Sequence, residues 1–548
     1  MIKMMATLAE FSDLDSVVDI FVPLLVQMAS DPTFNVRKEV PVAINSVIKV
    51  VSSQHAVDDL LLQFEHLAND DIWQVRKSCA LVLPEICASV PASAQLEICL
   101  PIFKAMISDV SRWVQTCVED GLGRMVAAFA GGDVPDDLIE KYISLFPNKS
   151  SMRDPDRTLR CAFNFPAVLL ALGPHRWPEF ANDYSNLCRD TQMSVRRTLA
   201  YSLHEIAKLL RENVEACDKQ LAPLFGFFMM DADEVRVGVL QNAATFLGCL
   251  SLPTREMYLP VLEDIWEADS KNWRVRELVA QQIPPLCELF SATTIVNDVL
   301  PIAIKCLNDP VFRVRETAVS AIPIIYGQTK KDPDLSSQIF ETILQFGLSA
   351  SFRKRMIFVQ ICRELLQTSQ IAISIFGEVL MPVFSQLSSD KVANVRLLVI
   401  QATETLINAF HENEQECSPK FQEQLGGLLK RFSSDDDPEI QSTLSQSILP
   451  SIEIPLSDPS PIDNRTHHGP NTESNGKCLS KAIPSRSLQQ YTICQVDENC
   501  KPENREAEEN VRKLAKRTEE AHITEPVKIT RVVSGMSNSK PLDLVDSL

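Results

Sequence analysis

Asp190-Thr191-Gln192-Met193-Ser194-Val195-Arg196, running on into Arg197-Thr198-Leu199-Ala200-Tyr201-Ser202-Leu203, decides how this chain is read. An acid is followed six residues later by a Val-Arg pair, and then by apolar residues at spacings of three and four, the period of a helix with one buried face. The same order returns at Asp31/Arg37, Asp70/Arg76, Asp309/Arg315 and Asp390/Arg396. Arg236, Arg276 and Arg355 continue the series, whose steps are 39 to 41 residues except for one of 120. Two weaker copies, Val114-Gln115 and Leu159-Arg160, fill that gap. A period of roughly 40 with two apolar stretches per unit is the mark of a helical-repeat solenoid. Each unit of such an array buries its apolar face only against its neighbours.

A proline stands eight or nine residues ahead of the turn acid: Pro23, Pro101, Pro223, Pro260, Pro301 and Pro382. Proline inside a helix removes one backbone bond and bends the axis. A bend recurring in the first helix of each pair fits HEAT units better than armadillo units. The expected fold is therefore all-α: a HEAT-repeat solenoid (α-α superhelix) of eleven helix pairs, with turns near 31, 71, 109, 154, 190, 231, 271, 309, 351, 390 and 437. Expected divisions are N-terminal repeats over 1–130, an irregular insertion at 131–156, C-terminal repeats over 157–455 and a disordered polar tail at 456–548. The tail is poor in large apolar residues, which leaves little to offset ordering entropy. One short charged helix is expected near 505–521.

Net charge is −19, which argues against nucleic acid or an anionic membrane as the main partner. Fifteen cysteines show no C-x-x-C spacing, and many sit among apolar residues at helical intervals, as small buried hydrophobes in a reducing compartment do. No signal peptide or membrane-spanning run is legible, so a cytoplasmic protein is expected. The run Arg512-Lys513-Leu514-Ala515-Lys516-Arg517 offers a weak nuclear signal but reads more readily as a solvated helix face.

Catalytic chemistry finds no support. There is no Gly-rich phosphate loop, no G-x-S-x-G and no H-E-x-x-H. The dipeptides His204-Glu205 and His411-Glu412 stand too far apart in the chain to share a metal, and neither a metal nor a cofactor is expected. The turn acids and arginines read as structure instead. Asp31, Asp70, Asp190, Asp309 and Asp390 would cap the second helices, while Arg37, Arg76, Arg196, Arg315 and Arg396 would reach the acid of a neighbouring unit, forming a ladder. Trp73, Trp113, Trp273, Phe312 and Phe352 fall at the turns, where a core residue is not required. Aromatic residues of this kind either staple the loop or anchor a partner. Trp113 and Arg196 are expected to act mainly on stability.

The segments Ile107-Ser108-Asp109-Val110-Ser111-Arg112-Trp113-Val114, Met193 to Glu205 and Asp233-Glu234-Val235-Arg236-Val237-Gly238-Val239-Leu240 resemble the HEAT-repeat regulatory and scaffold subunits of the protein phosphatase 2A family, phosphatase 4-type regulators included. That likeness covers roughly residues 15 to 450. The family's long acidic insertion is replaced here by the short stretch at 131–156. Lys271-Asn272-Trp273-Arg274-Val275-Arg276, Phe352-Arg353-Lys354-Arg355-Met356 and Lys391 to Arg396 are similar to the catalytic-subunit-binding loops of the phosphatase 2A scaffold. The resemblance implies a non-enzymatic subunit that binds a serine/threonine protein phosphatase 4 catalytic subunit and directs it to phosphoprotein substrates. By the same likeness Trp273, Arg274, Phe312, Phe352 and Arg355 would face that subunit. The rival reading is a generic HEAT adaptor such as a nuclear transport receptor.

Overall fold

The computed structural model describes residues 2–448, apart from 52–53, 131, 148–154, 269–271 and 413–418. The polar tail and its expected charged helix lie outside the described residues. Residues Met1–Ser457 form one compact unit.

Within that unit, antiparallel helix pairs repeat along the chain. First (A) helices such as Gln54–Ala68, Trp177–Cys188 and Pro333–Gly347 alternate with second (B) helices such as Trp73–Ser89, Met193–Leu209, Phe312–Thr329 and Phe352–Gln367. B helices pack on the B helices of adjacent units, and A helices on A helices, giving two layers with the apolar core between them. The Val-Arg pair now has a physical reason. Val75, Val195, Val235, Val275, Val314 and Val395 are all fully buried one residue ahead of the arginine. Each valine therefore anchors the start of a B helix in the core and leaves the next side chain at the turn edge. Leu199, Leu203 and Ile206 continue the buried stripe of their helix at the expected spacing.

The A-helix prolines act through a widened turn. Ahead of Pro23, Pro101, Pro223, Pro301 and Pro382, residues Val17–Phe21, Gln95–Cys99, Cys217–Leu221, Ile295–Val299 and Phe376–Leu380 form i→i+5 hydrogen-bonded turns. Proline has no N–H to donate, and its ring crowds the carbonyl four residues back. Widening the preceding turn lets the residue before proline donate five residues back instead, as Val22 does to Val17. Pro260 departs from the pattern: its A helix is interrupted between Leu252–Glu256 and Leu259–Ala268.

The stretch 131–156, expected to be irregular, contains the helix Asp136–Ser144. Pro135 and two acids in the first turn favour its start, and Leu138, Ile139 and Tyr142 are buried at helical spacing. Only nine residues long, it escaped a periodicity reading tuned to longer elements. Ahead of the first pair, helix Ile2–Leu8 packs against Val40–Ile48.

Candidate protein-interaction surface

The A–B turns line one edge of the repeat array, and two sets of side chains occupy that edge. The first is the charged ladder. Arg37 Nε and Nη2 donate to both carboxylate oxygens of Asp70 at 2.6 and 3.0 Å. Arg76 does the same to Asp109 at 2.6 and 2.8 Å, and Arg196 to Asp231 at 2.6 and 2.9 Å. Arg276 grips Asp309 at 2.5 and 3.1 Å, and Arg396 grips Asp435 at 2.8 and 2.9 Å. In each case the arginine reaches forward to the next unit. Its remaining nitrogen holds its own turn: Arg196 Nη1 donates to the carbonyls of Asp190 and Thr191. One fork thus ties two consecutive turns together with charge-assisted bonds. The weaker copies keep half of this device. Gln115 donates to the carbonyl of Asp109, whereas Arg160 turns back to Glu119 at 3.1 Å; in the turn after Arg396, Gln441 likewise donates to the carbonyl of Asp435.

The turn acid does not cap the B helix. Asp70 Oδ1 accepts the N–H of Ile72, Asp190 that of Gln192, Asp309 that of Val311 and Asp390 that of Val392. Each bond closes a turn inside the loop, two residues on. The cap positions Ile72, Gln192 and Val311 make no side-chain cap bond. The acid stands too early for the helix start and serves the loop instead.

Two arginines exchange the places expected for them. Arg355, implied by resemblance to face a partner, is committed to the ladder: Nε and Nη2 meet Asp390 at 2.5 and 2.9 Å, and Nη1 meets the carbonyls of Ser349 and Ala350. Arg315, expected to be a rung, donates from Nη1 to the carbonyls of Asp309 and Pro310 and forms no ion pair among the described residues. Its forward neighbour is Ser349, where the other turns carry Asp. The electrostatics separate the two accordingly. The hydrogen bond that Arg355 donates to Asp390 raises the pKa of its guanidinium further, whereas burial, and then the nearby Arg353 charge, lowers that of Arg315.

The second set is aromatic. Trp273, Phe312 and Phe352 each begin a B helix, in three consecutive units. Phe312 is 56% exposed and Phe352 41%. Trp273 is half-buried against the core. Arginines lie over all three rings: Arg274 at 4.8 Å from Trp273, Arg315 at 5.7 Å from Phe312 and Arg353 at 5.9 Å from Phe352. A second aromatic pair stands on the N-terminal turns. Trp73 and Trp113 stack at 6.4 Å, with Lys77 over the Trp113 ring. Trp113, expected to serve stability, is 63% exposed and is therefore not a core residue. Val110 beside it is almost wholly exposed, a feature its apolar character concealed in the sequence.

Nothing among the described residues gathers three or more His, Cys, Asp or Glu into a group that could hold a metal ion. His204 meets Glu205 at 2.6 Å, and His411 lies against the Phe410 ring. Among the described residues, no helix is long and apolar enough to cross a membrane.

Comparison with known proteins bears on the same units. Residues 161–265 match the middle domain of protein phosphatase 4 regulatory subunit 1, ending before Trp273. The mouse (Mus musculus) serine/threonine-protein phosphatase 4 regulatory subunit 1 is 33% identical over 271 residues, 48% of this chain and 28% of that protein. The human (Homo sapiens) counterpart is 33% identical over 279 residues with the same coverage, and human regulatory subunit 4 is 25% identical over 283 residues, 48% of this chain and 30% of that one. The chain thus spans less than a third of the length of these relatives. Among solved structures, importin beta superposes with a TM-score of 0.48 at 14% identity, covering 78% of this chain and 56% of its own. The matched middle domain, with a likeness extending over about half of this chain, shows the chain to be related to protein phosphatase 4 regulatory subunit 1.

Proposed function

We propose that this chain is a non-catalytic regulatory and scaffold subunit that binds a phosphatase 4-type catalytic subunit through the turn edge around Trp273, Phe312 and Phe352, and directs it to phosphoprotein substrates. One observation carries the placement: two large aromatics, Phe312 and Phe352, are exposed on successive turns, and each has an arginine against its ring. Aromatic and arginine residues clustered on a rigid edge have the composition of an interface centre. Rigidity comes from the closed rungs that flank this step, Arg276 to Asp309 and Arg355 to Asp390, which hold the turns on either side and limit the ordering cost of docking. Arg274 and Arg353 supply positive charge on a chain of net charge −19 and suit an acidic partner face. The relation to phosphatase 4 regulatory subunits supports this choice of partner.

The test is direct. Purified full-length chain is titrated against purified phosphatase 4 catalytic subunit, with a nuclear-transport GTPase as the competing candidate. Binding of the phosphatase and not the GTPase supports the reading; the reverse selectivity replaces it with a transport-type adaptor.

A further inference from the structure

Besides the weaker copies at Gln115 and Arg160, the ladder is interrupted at the turn of Ser349, and this interruption has a defined shape. Ser349 occupies the place where the forward-reaching arginine finds Asp in other units. The loop keeps its form, because Ser349 Oγ accepts the N–H of Ser351 at 3.2 Å, as an aspartate oxygen does elsewhere. What is lost is the carboxylate. Arg315 still holds its own turn through Nη1, as the arginines of the closed rungs do, but the following turn offers its other two nitrogens no acid. A cleft of about 270 Å³ lies there, lined by Asn308, Asp309, Arg315, Ser351, Arg353 and Lys354. The Asp309 carboxylate does not neutralise the cleft, being held by Arg276 in the rung before. Three cations therefore face one space with no carboxylate free to answer them.

We propose that this open rung is a receptor for a single carboxylate side chain, an Asp or Glu presented by a docked protein partner, which takes the place that Asp holds in the closed rungs. Carboxylate is favoured over other anions by the fork itself. In six closed rungs, those of Arg37, Arg76, Arg196, Arg276, Arg355 and Arg396, the same two nitrogens pair with the two oxygens of one planar group. A protein partner is favoured over a free ion by the neighbours. Phe312 opens the helix that carries Arg315, and Phe352 opens the next, so the cleft lies between two exposed aromatics. A surface covering both rings would shut water out of the cleft and strengthen the charge pair. The like-charge pressure of Arg353 on Arg315, together with its partial burial, would be relieved by the arriving acid. This deepens the scaffold reading and rests on it for the identity of the partner, though not for the chemistry of the fork.

The experiment uses the full-length chain, its Ser349→Asp and Arg315→Gln variants, and two probes: a fluorescein-labelled hexa-aspartate peptide and the phosphatase 4 catalytic subunit. Ser349→Asp should close the rung from within. It should raise the melting temperature and weaken binding of both probes by roughly tenfold or more. Arg315→Gln should weaken both to a similar extent without the rise in melting temperature. Wild-type affinity for the peptide in a more stable Ser349→Asp variant would overturn the proposal, as would an unchanged melting temperature. Displacement of the peptide by inorganic phosphate at equal concentration would reassign the cleft to phosphate and overturn the carboxylate assignment. If the peptide results hold while the catalytic subunit fails to bind even the wild-type chain, the scaffold reading fails and the open rung stands.

Discussion

The rung from Arg276 to Asp309 and the gap from Arg315 to Ser349 are adjacent steps of the same ladder, built on the same turn geometry, and they have opposite characters. In the first, both side chains are sealed, with 4% and 0% of their surfaces exposed. In the second, the same arginine position faces a cleft shared with two other cations. One residue, Ser for Asp, separates them. A repeat protein can therefore convert a structural element into a candidate recognition element without changing its backbone, because each rung is completed by the following unit and not by its own. Removing the acid opens a site whose walls remain held by the rungs on either side.

Breaking the closed step should have the largest effect on stability. Arg276→Ala leaves the fully buried Asp309 carboxylate without its charge partner, and a cost of about 3–5 kcal/mol is expected. Urea denaturation followed by circular dichroism measures it; a loss below about 1 kcal/mol would mean that water or another cation replaces the guanidinium. Arg196→Ala removes a half-open rung, with 17% and 10% exposure, and should cost a smaller amount, about 1–3 kcal/mol. Loss of partner capture in an Arg196→Ala variant of unchanged stability would show that the ladder itself is the contact surface.

Acid should loosen the closed rungs collectively. Hydrogen bonding from the preceding unit's arginine holds the Asp109, Asp231 and Asp435 carboxyls below their usual range. A group depressed in the fold contributes stability above its unfolded pKa and loses it as pH falls through the folded value. Stability should thus be insensitive to these groups near neutrality and decline below about pH 4, the ordinary aspartate range. Thermal melts between pH 7 and pH 3 read this out; a decline already complete at pH 5 would point to other groups. The smallest effect is expected at Trp113→Ala. Its ring is mostly exposed and its main contacts are Trp73 and Lys77. A change below about 1 kcal/mol is expected in the same urea assay, and a larger loss would restore Trp113 to the stabilising role first read for it.

The fold was legible because its signal is repeated. A Val-Arg pair after a turn acid means little once, but its return near every fortieth residue fixes both the unit length and the buried position of the valine. The forward reach of the arginines was also readable, and it contained the information that was missed. Asp390 lies ahead of Arg355, and Ser349 lies ahead of Arg315, so the sequence already distinguishes a closed rung from an open one. Listing each arginine beside the acid of its own turn, without asking which residue the following turn supplies, hid that distinction. Helix Asp136–Ser144 was missed for want of length, and the widened turns before the prolines because a local hydrogen-bond shift leaves no trace in apolar periodicity. Exposure of the aromatics divides along similar lines. Trp273, Phe312 and Phe352 share a register, but only the packed structure shows Trp273 leaning into the core while the two phenylalanines stand out.

That last difference selects the decisive measurement. Phe312→Asp combined with Phe352→Asp alters the two exposed rings and spares the half-buried tryptophan, so the chain should keep its wild-type helical circular dichroism. Titrated against purified phosphatase 4 catalytic subunit, the double variant should bind at least about a hundredfold more weakly, since truncation at aromatic anchors alone costs roughly 2–4 kcal/mol. Wild-type affinity in a folded double variant would contradict the placement of the interface on this edge.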